Sequence, residues 1–437
     1  MGKLRLFLER NKSAIFLLRY ILIAIFLTVV VIGVDYFGIG KEWVPEFFLT
    51  KIDVARSILT ALSGSFLTIT TFTFSTILSV LSTYSSNYTP RVVENFLANK
   101  ITMKVMGLFV GGFIYSIMTL FFMKTSDLDV MVLSATVAIV YTIYSVINFV
   151  IFIFSVSALI QSGNLIINTF KDSEESINRN LEAVEKLKRV DDYSLDNYHF
   201  KEEFYIDTKG YLELIELNDV FEGFHNQEGI LVIHPSIGDF LSENEKIATL
   251  YYNDWGHLAN EDLHALKDSI VKGFTLDMKR ITTNDYRYSI QKLVEIALRA
   301  ISPGINDPNT AIKCLHYIGV LLGKISTVNG CFNFIKQVDS RLAVVYESFN
   351  LKEDLEVVLN QIVFYGKEDL SVISAVYDSL SIAYRTAHED NKEIIQDYAN
   401  YVYENTMDYF DLHRDRSIME KKYAKLNDVE KDIQNSI

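Results

Sequence analysis

The sequence predicts an integral membrane protein of mainly α class: four transmembrane helices, then a cytosolic part made of a small β-domain and an all-α helical bundle. Three observations carry this. Residues 1–160 contain four apolar stretches, at about 14–34, 54–81, 102–123 and 130–160, each long enough for the roughly 20 residues that cross a bilayer. Between 201 and 255, short apolar runs alternate with turn residues such as Pro235 and Gly238, as strands do. From 256 to 437 the spacing is three and four throughout, with Pro303 and Pro308 its only prolines, as in a helical bundle.

The first stretch has a basic lead-in (Lys3, Arg5, Arg10, Lys12), but its apolar run is long and no small-residue cleavage pattern follows. It reads as an uncleaved first helix. The loop after the second stretch carries Arg91 and Lys100, whereas the opposite loops lean acidic through Asp35, Glu42 and Glu46, and through Asp127 and Asp129. The positive-inside rule then places both termini in the cytosol, with the four stretches crossing the cytoplasmic membrane.

The second stretch differs from the other three. Between 57 and 86, 15 of 30 positions are Ser or Thr. Thr60, Gly64, Thr68, Thr71, Ser75, Ser79, Ser82 and Ser86 follow steps of three and four and share one helical face. Such a stripe either lets helices pack closely, its hydroxyls bonding back to the carbonyls one turn earlier, or lines an aqueous path. Phe66, Phe72 and Phe74 are candidates for an apolar constriction or for lipid contact. Pro90 and Arg91 end the helix, and the segment after them is either a surface helix or a collar at the mouth of a path. In the third stretch, Gly107, Gly111 and Gly112 form a face for close packing.

Charge divides the chain. Residues 1–160 hold 12 Lys/Arg and 8 Asp/Glu, while 161–437 hold 29 and 47. So acidic a cytosolic part argues against nucleic acid as a partner. Cys314 and Cys331 have no paired-ligand spacing and read as reduced core thiols. Residues 161–200 read as an amphipathic linker helix. Helices are expected at 259–273, 286–301, 308–326, 333–348, 353–365, 368–387 and 391–431.

The most distinctive string is Ser302-Pro303-Gly304-Ile305-Asn306-Asp307-Pro308. Proline disfavours helical geometry in the residue before it, so Ser302 ends one helix. Gly304 suits a sharp turn, while Asp307 and Pro308 are placed as N-cap and first residue of the next helix. The string reads as a rigid elbow, or as a ligand site using Asn306 and Asp307 as oxygen donors. Arg280, Asp285, Glu295, Arg299 and Asp307 are candidates for a buried charge network around it, or for a site taking an ion or small charged ligand.

These residues carry a resemblance. With Ser85-Ser-Asn-Tyr-Thr-Pro-Arg91, Arg280 and Asp285, and Leu293-Val-Glu-Ile-Ala-Leu-Arg-Ala300 leading into the elbow, the chain resembles a bacterial family of predicted four-helix membrane proteins of unknown function. It departs from the family at Tyr288-Ser289, where an aromatic–glycine pair is usual. The resemblance implies the four-helix topology and brings no activity with it.

Signatures of catalysis and cofactor binding are not found in the sequence. Gly319 to Lys324 approaches a phosphate loop but falls one residue short and runs into Ile325. His257, Glu261 and His264 share a helical face, a spacing that arises often by chance. The expectation is therefore a non-enzymatic homo-oligomer in the lipid bilayer, conducting ions (cations favoured) or small solutes along the second helix and regulated by its cytosolic domain. The alternative is a membrane-anchored sensor or scaffold that does not conduct.

Overall fold

A computed structural model describes residues 12–87, 100–123, 130–159, 162–185, 188–189, 195–216, 220, 228–253, 260–280, 284–328, 332–336 and 342–434. The chain divides into two compact units, Phe7–Leu165 and a second formed mainly by Ile166–Ile437.

In the first unit the four apolar stretches form helices α1 (Lys12–Phe37), α2 (Ile52–Asn87), α3 (Lys100–Phe122) and α4 (Ser134–Leu159). All four are long and apolar enough to cross a membrane, with mean hydropathies of 2.8, 1.5, 2.0 and 2.3 over their candidate spans. The lowest value belongs to the hydroxyl-rich α2. Helix α3 is the hub, packing on α1, α2 and α4. Its glycines explain how. A Cβ at Gly107 would stand 2.8 Å from Tyr20 Cβ, one at Gly111 2.9 Å from Ala24 Cβ, and one at Gly112 2.7 Å from the Phe66 ring. Only hydrogen fits at those three points.

One end of this unit is clasped by polar contacts. Asp35, in the last turn of α1, accepts from the backbone N–H groups of Leu133 (2.7 Å) and Ser134 (3.1 Å), capping α4 from another helix. Lys41 Nζ donates to Met131 O at 2.7 Å, and Arg56 Nη2 to Met123 O at 2.8 Å. Strands β1 (Thr50–Lys51) and β2 (Met131–Val132) pair antiparallel beside them.

The second unit begins with α5 (Ser162–Glu185), of which residues from Ile166 onward belong to it. This segment is a packed member of the unit: Ile166, Ser173, Ser176 and Ile177 are buried, and Ser173 Oγ donates to Ser289 O at 3.0 Å. A six-stranded sheet has the order β3 (Lys188–Arg189), β10 (Phe332–Lys336), β11 (Leu342–Glu347), β6 (Gly229–Ile233), β8 (Lys246–Tyr252), β4 (Phe200–Tyr205). A three-stranded sheet has the order β7 (Phe240–Leu241), β5 (Gly210–Ile215), β9 (Phe274–Asp277). Their shared core is built from Phe204, Leu212, Leu231, Ile247, Ile270 and Val344 among others.

The sheet therefore reaches well beyond 201–255. The helix expected at 333–348 is an antiparallel hairpin, and its second strand lies parallel to β6. The physical reason is tertiary. Val344 and Val345, β-branched and fully buried, are held in the sheet by that parallel partner.

The remaining helices are α6 (Asn260–Gly273), α7 (Tyr286–Ala300), α8 (Pro308–Ile325), α9 (Leu351–Gly366), α10 (Leu370–Thr386), α11 (Glu389–Thr406) and α12 (His413–Gln434). The single helix expected at 391–431 is broken by a tight turn at Met407–Tyr409. Side chains of Asp285, Asp307, Asn350 and Asp369 cap α7 to α10.

Candidate functional site

Two features carry function-bearing chemistry. The first is the face of α2 turned away from its own unit. Ala55, Leu59, Phe66, Thr73, Ile77 and Val80 are buried against the other helices. Thr60, Gly64, Thr68, Thr71, Ser75, Ser79 and Ser82 are all exposed on the opposite side. Among the described residues the hydroxyl stripe is therefore exposed, on the side of α2 turned away from its packed face. Hydroxyl protons of the stripe are already spent on its own helix: Thr68 Oγ1 donates to Gly64 O (2.9 Å) and Thr71 Oγ1 to Leu67 O (3.0 Å). What these groups present outward is oxygen lone pairs.

The outward faces of α1 and α4 are hydrocarbon, with Leu22, Phe26 and Val29 on one and Ile143, Ile147 and Phe154 on the other. These match lipid; the α2 stripe does not. The three phenylalanines expected at a constriction separate. Phe66 is buried against Gly112, so it faces inward. Phe72 and Phe74 are exposed, but two residues on a helix are turned by about 200°. They therefore stand on opposite edges of the stripe and cannot both point along one axis from its centre. The side chain of Ser86, and Pro90 and Arg91 altogether, lie outside the described residues, as do His257, the side chains of Glu261 and His264, and Cys331.

The second feature is a charge cluster at the start of α7. Asp285 accepts the Tyr288 N–H through Oδ1 at 2.8 Å, capping the helix. Through Oδ2 it binds Arg280 Nε (2.8 Å) and Nη2 (2.6 Å). The guanidinium lies between the rings of Tyr211 and Tyr288, at 5.5 and 5.0 Å. Gly238 presses on this pair: its φ is +98°, and a Cβ there would fall 2.5 Å from Asp285 Oδ2. Burial raises the Asp285 carboxyl above its ordinary range, and Arg280 opposes that rise.

Two residues after Asp285, Arg287 donates from Nε to Asp354 Oδ1 at 2.6 Å and reaches Glu353 through Nη2 at 2.9 Å. Tyr286 Oη donates to both Asp354 oxygens, at 3.0 and 2.9 Å. Burial pushes the Asp354 carboxyl up to about 6, against the pull of Arg287. Beside Arg287 lies a cavity of about 80 Å³, walled by Asn180, Ser236, Asn284, Tyr346 and Ser348 among others.

Of the cluster expected from sequence, the structure unites Arg280 and Asp285. Arg299 lies on the exposed side of α7. Asp307 caps α8, accepting from Thr310 N (3.2 Å) and Oγ1 (2.6 Å). The left-handed backbone of the elbow falls at Asn306 (φ 48°) and not at Gly304. Arg287 and Asp354 were not anticipated, because 67 residues separate them. Gly319 and Gly323 serve packing: a Cβ at Gly319 would lie 2.7 Å from Ser379 Cα, and one at Gly323 2.8 Å from Thr386 Oγ1. Burial pushes the Cys314 thiol up to about 12, far from a nucleophile's range. Among the described residues no group of three or more His, Cys, Asp and Glu gathers to hold a metal.

Four long apolar helices joined to a second unit of sheets and helices define an integral membrane protein of mainly α architecture. The chain belongs to the family described as predicted membrane protein (DUF2254), which it matches over residues 10–381. It is also similar to uncharacterized protein MT1328 of Mycobacterium tuberculosis (strain CDC 1551 / Oshkosh), at 21 % identity over 61 % of this chain and 51 % of the relative. Uncharacterized protein Mb1321c of Mycobacterium bovis matches with the same identity and coverage. The chain thus spans about half the length of the curated relatives it matches. No solved structure matches it.

Proposed function

We propose that this protein is a homo-oligomeric channel of the bacterial cytoplasmic membrane, with both termini in the cytosol and the outward face of α2 lining the path. The observation that carries this reading is the position of the stripe: Thr60 to Ser82 is polar, exposed, and opposite the packed side of its helix. A single protomer offers one such face, so a closed path needs several copies around an axis. Because hydroxyl protons are spent on the helix's own carbonyls, a lumen of outward lone pairs favours cations over anions. The chain acts without cofactor or catalysis in this reading, and the soluble unit regulates it.

The test is single-channel recording from purified protein in planar bilayers, wild type beside Thr71→Phe and Ser75→Phe. Wild-type current with a cation-selective reversal potential, blocked or altered by either substitution, is the expected result. Silence from intact oligomer under varied voltage, tension and salt overturns it. The membrane-anchored sensor then takes its place, a reading favoured by the polar cavity beside Arg287.

A further inference from the structure

We propose that the cavity beside Asp35 in the membrane unit binds a monovalent cation of sodium size, held by the Asp35 carboxylate and the hydroxyls of Thr119 and Ser134. This does not depend on whether α2 lines a path. Three helices bring oxygen to the place. Asp35 lies in the last turn of α1, Tyr115 and Thr119 lie one turn apart on α3, and Ser134 is the first residue of α4. Asp35 and Thr119 both line a cavity of about 50 Å³. A single water needs roughly 10–15 Å³, so an ion fits there with one or two waters.

Two of these oxygens are orphaned. Thr119 is 3 % exposed and Ser134 is fully buried, yet among the described residues neither Thr119 Oγ1 nor Ser134 Oγ has a hydrogen-bond partner. Thr119 stands beside the Tyr115 hydroxyl and Ser134 beside the Asp35 carboxylate, within reach but without completing a hydrogen bond. Other hydroxyls of the same helices behave differently. Ser116, Thr142 and Ser145 each donate to the carbonyl four residues earlier. A buried hydroxyl left unpaired is costly, and two of them next to a carboxylate point to a guest that satisfies all three.

The guest is a cation because the side chains offered to it are oxygen donors. Asp35 takes its hydrogen bonds from the backbone N–H groups of Leu133 and Ser134, which are neutral and leave its charge in place. Tyr115 Oη donates to Ser134 O at 2.9 Å and keeps its lone pairs. Two cationic side chains share this end of the unit. Lys41 is within electrostatic reach of Asp35, but its ammonium donates to Met131 O. Arg56 donates to Met123 O and faces Asp53 at 3.8 Å. Ile32, Ile52, Val130 and Val132 make the cavity wall apolar, which strengthens the pull of a carboxylate on an ion. One carboxylate among neutral hydroxyls suits a single charge, whereas calcium sites gather more oxygen ligands, several of them charged. Tyr36 on the rim is exposed and leaves a way in.

Thermal unfolding of the purified full chain in detergent tests this, in sodium chloride against choline chloride at one ionic strength. The wild type is expected to melt about 3–6 °C higher when sodium stands at ten times its dissociation constant. Thr119→Val keeps the shape of the side chain and removes only the hydroxyl. It is expected to fold, to melt in choline close to the wild type, and to lose most of the sodium shift. Asp35→Asn should lose the shift entirely, but Asp35 also caps α4, so Thr119→Val is the deciding variant. Equal melting of the wild type in the two salts would mean that water alone fills the cavity and overturn the proposal. An equal sodium shift in the wild type and Thr119→Val would place the ion elsewhere and overturn it too. A shift from micromolar calcium with none from sodium would overturn the assignment to a monovalent ion.

Discussion

Arg287 and Asp354 are joined at 2.6 Å across α7 and α9, with the Asp354 side chain only 1 % exposed. The pair ties the start of α7 to the first turn of α9, and its carboxylate also receives the Tyr286 hydroxyl. Removing the cation alone leaves a buried carboxylate without its main counter-charge. Arg287→Met is therefore expected to destabilise the second unit by about 3–5 kcal/mol. The double variant Arg287→Met/Asp354→Leu should be much less damaged than the single. Thermal unfolding of the three proteins in one detergent checks this, and equal losses in both variants would contradict it.

The same carboxylate sets a pH dependence. Its folded value of about 6 lies above the 3.8 of an ordinary Asp, chiefly because burial disfavours the charged form. The folded chain therefore holds an extra proton between those values. Stability from this site rises as pH falls from above 6 toward 4, and is lost as pH rises through about 6. Relative to Asp354→Asn, the wild type should gain stability between pH 7.5 and 5.5, by at most about 1.4 kcal/mol per pH unit. A difference in melting temperature that stays flat over that range would refute the assignment.

Gly238→Ala should be harmful despite its size. The backbone sits at φ +98°, and the new methyl would fall 2.5 Å from Asp285 Oδ2 and 2.8 Å from Arg280 Nη2. Conformational strain of about 1–3 kcal/mol adds to the displaced ion pair. Denaturant unfolding should show at least that loss, and a neutral result would mean that the turn relaxes without disturbing Arg280.

The glycines of the membrane unit should split into two kinds. Gly112→Ala drives a methyl to 2.7 Å from the Phe66 ring and is expected to cost about 1–3 kcal/mol. Gly64→Ala meets nothing within 4 Å in the protomer and should stabilise α2 by about 0.5–1 kcal/mol. Melting temperatures in detergent micelles that preserve the monomer decide, and a loss at Gly64 equal to that at Gly112 would count against the outward placement of the stripe.

The parts of this fold that could be read from sequence are those fixed by local pattern. α1, α3 and α4 announce themselves by apolar length, and α8 by Asp307 followed by Pro308, whose cap and first turn the structure shows. The β10–β11 hairpin could not be read this way. Its apolar spacing suits a helix as well as a strand, and the parallel partner that decides the matter lies more than 100 residues earlier, at Gly229–Ile233. Site legibility follows the same rule. The stripe on α2 is a matter of helical spacing within one segment, whereas Asp354 gained its role only through a long-range contact. Phe72 and Phe74 show a different loss: residue type suggested a constriction, and the 100° step between neighbours assigns them to opposite edges.

The clasp at Asp35 has a mechanical consequence. Asp35 binds α1 to the start of α4, while β1 and Arg56 bind the same end of α2 to the residues flanking α3 and α4. That end works as a fulcrum, because displacing any one helix there breaks contacts to two others. From Arg56 to Ser82, α2 extends about 40 Å beyond this clasp, at 1.5 Å per residue. A tilt of about 5° about the fulcrum carries Ser82 sideways by roughly 3 Å, close to the diameter of a water molecule. A small angular change at the clasp is thus amplified toward Ser82.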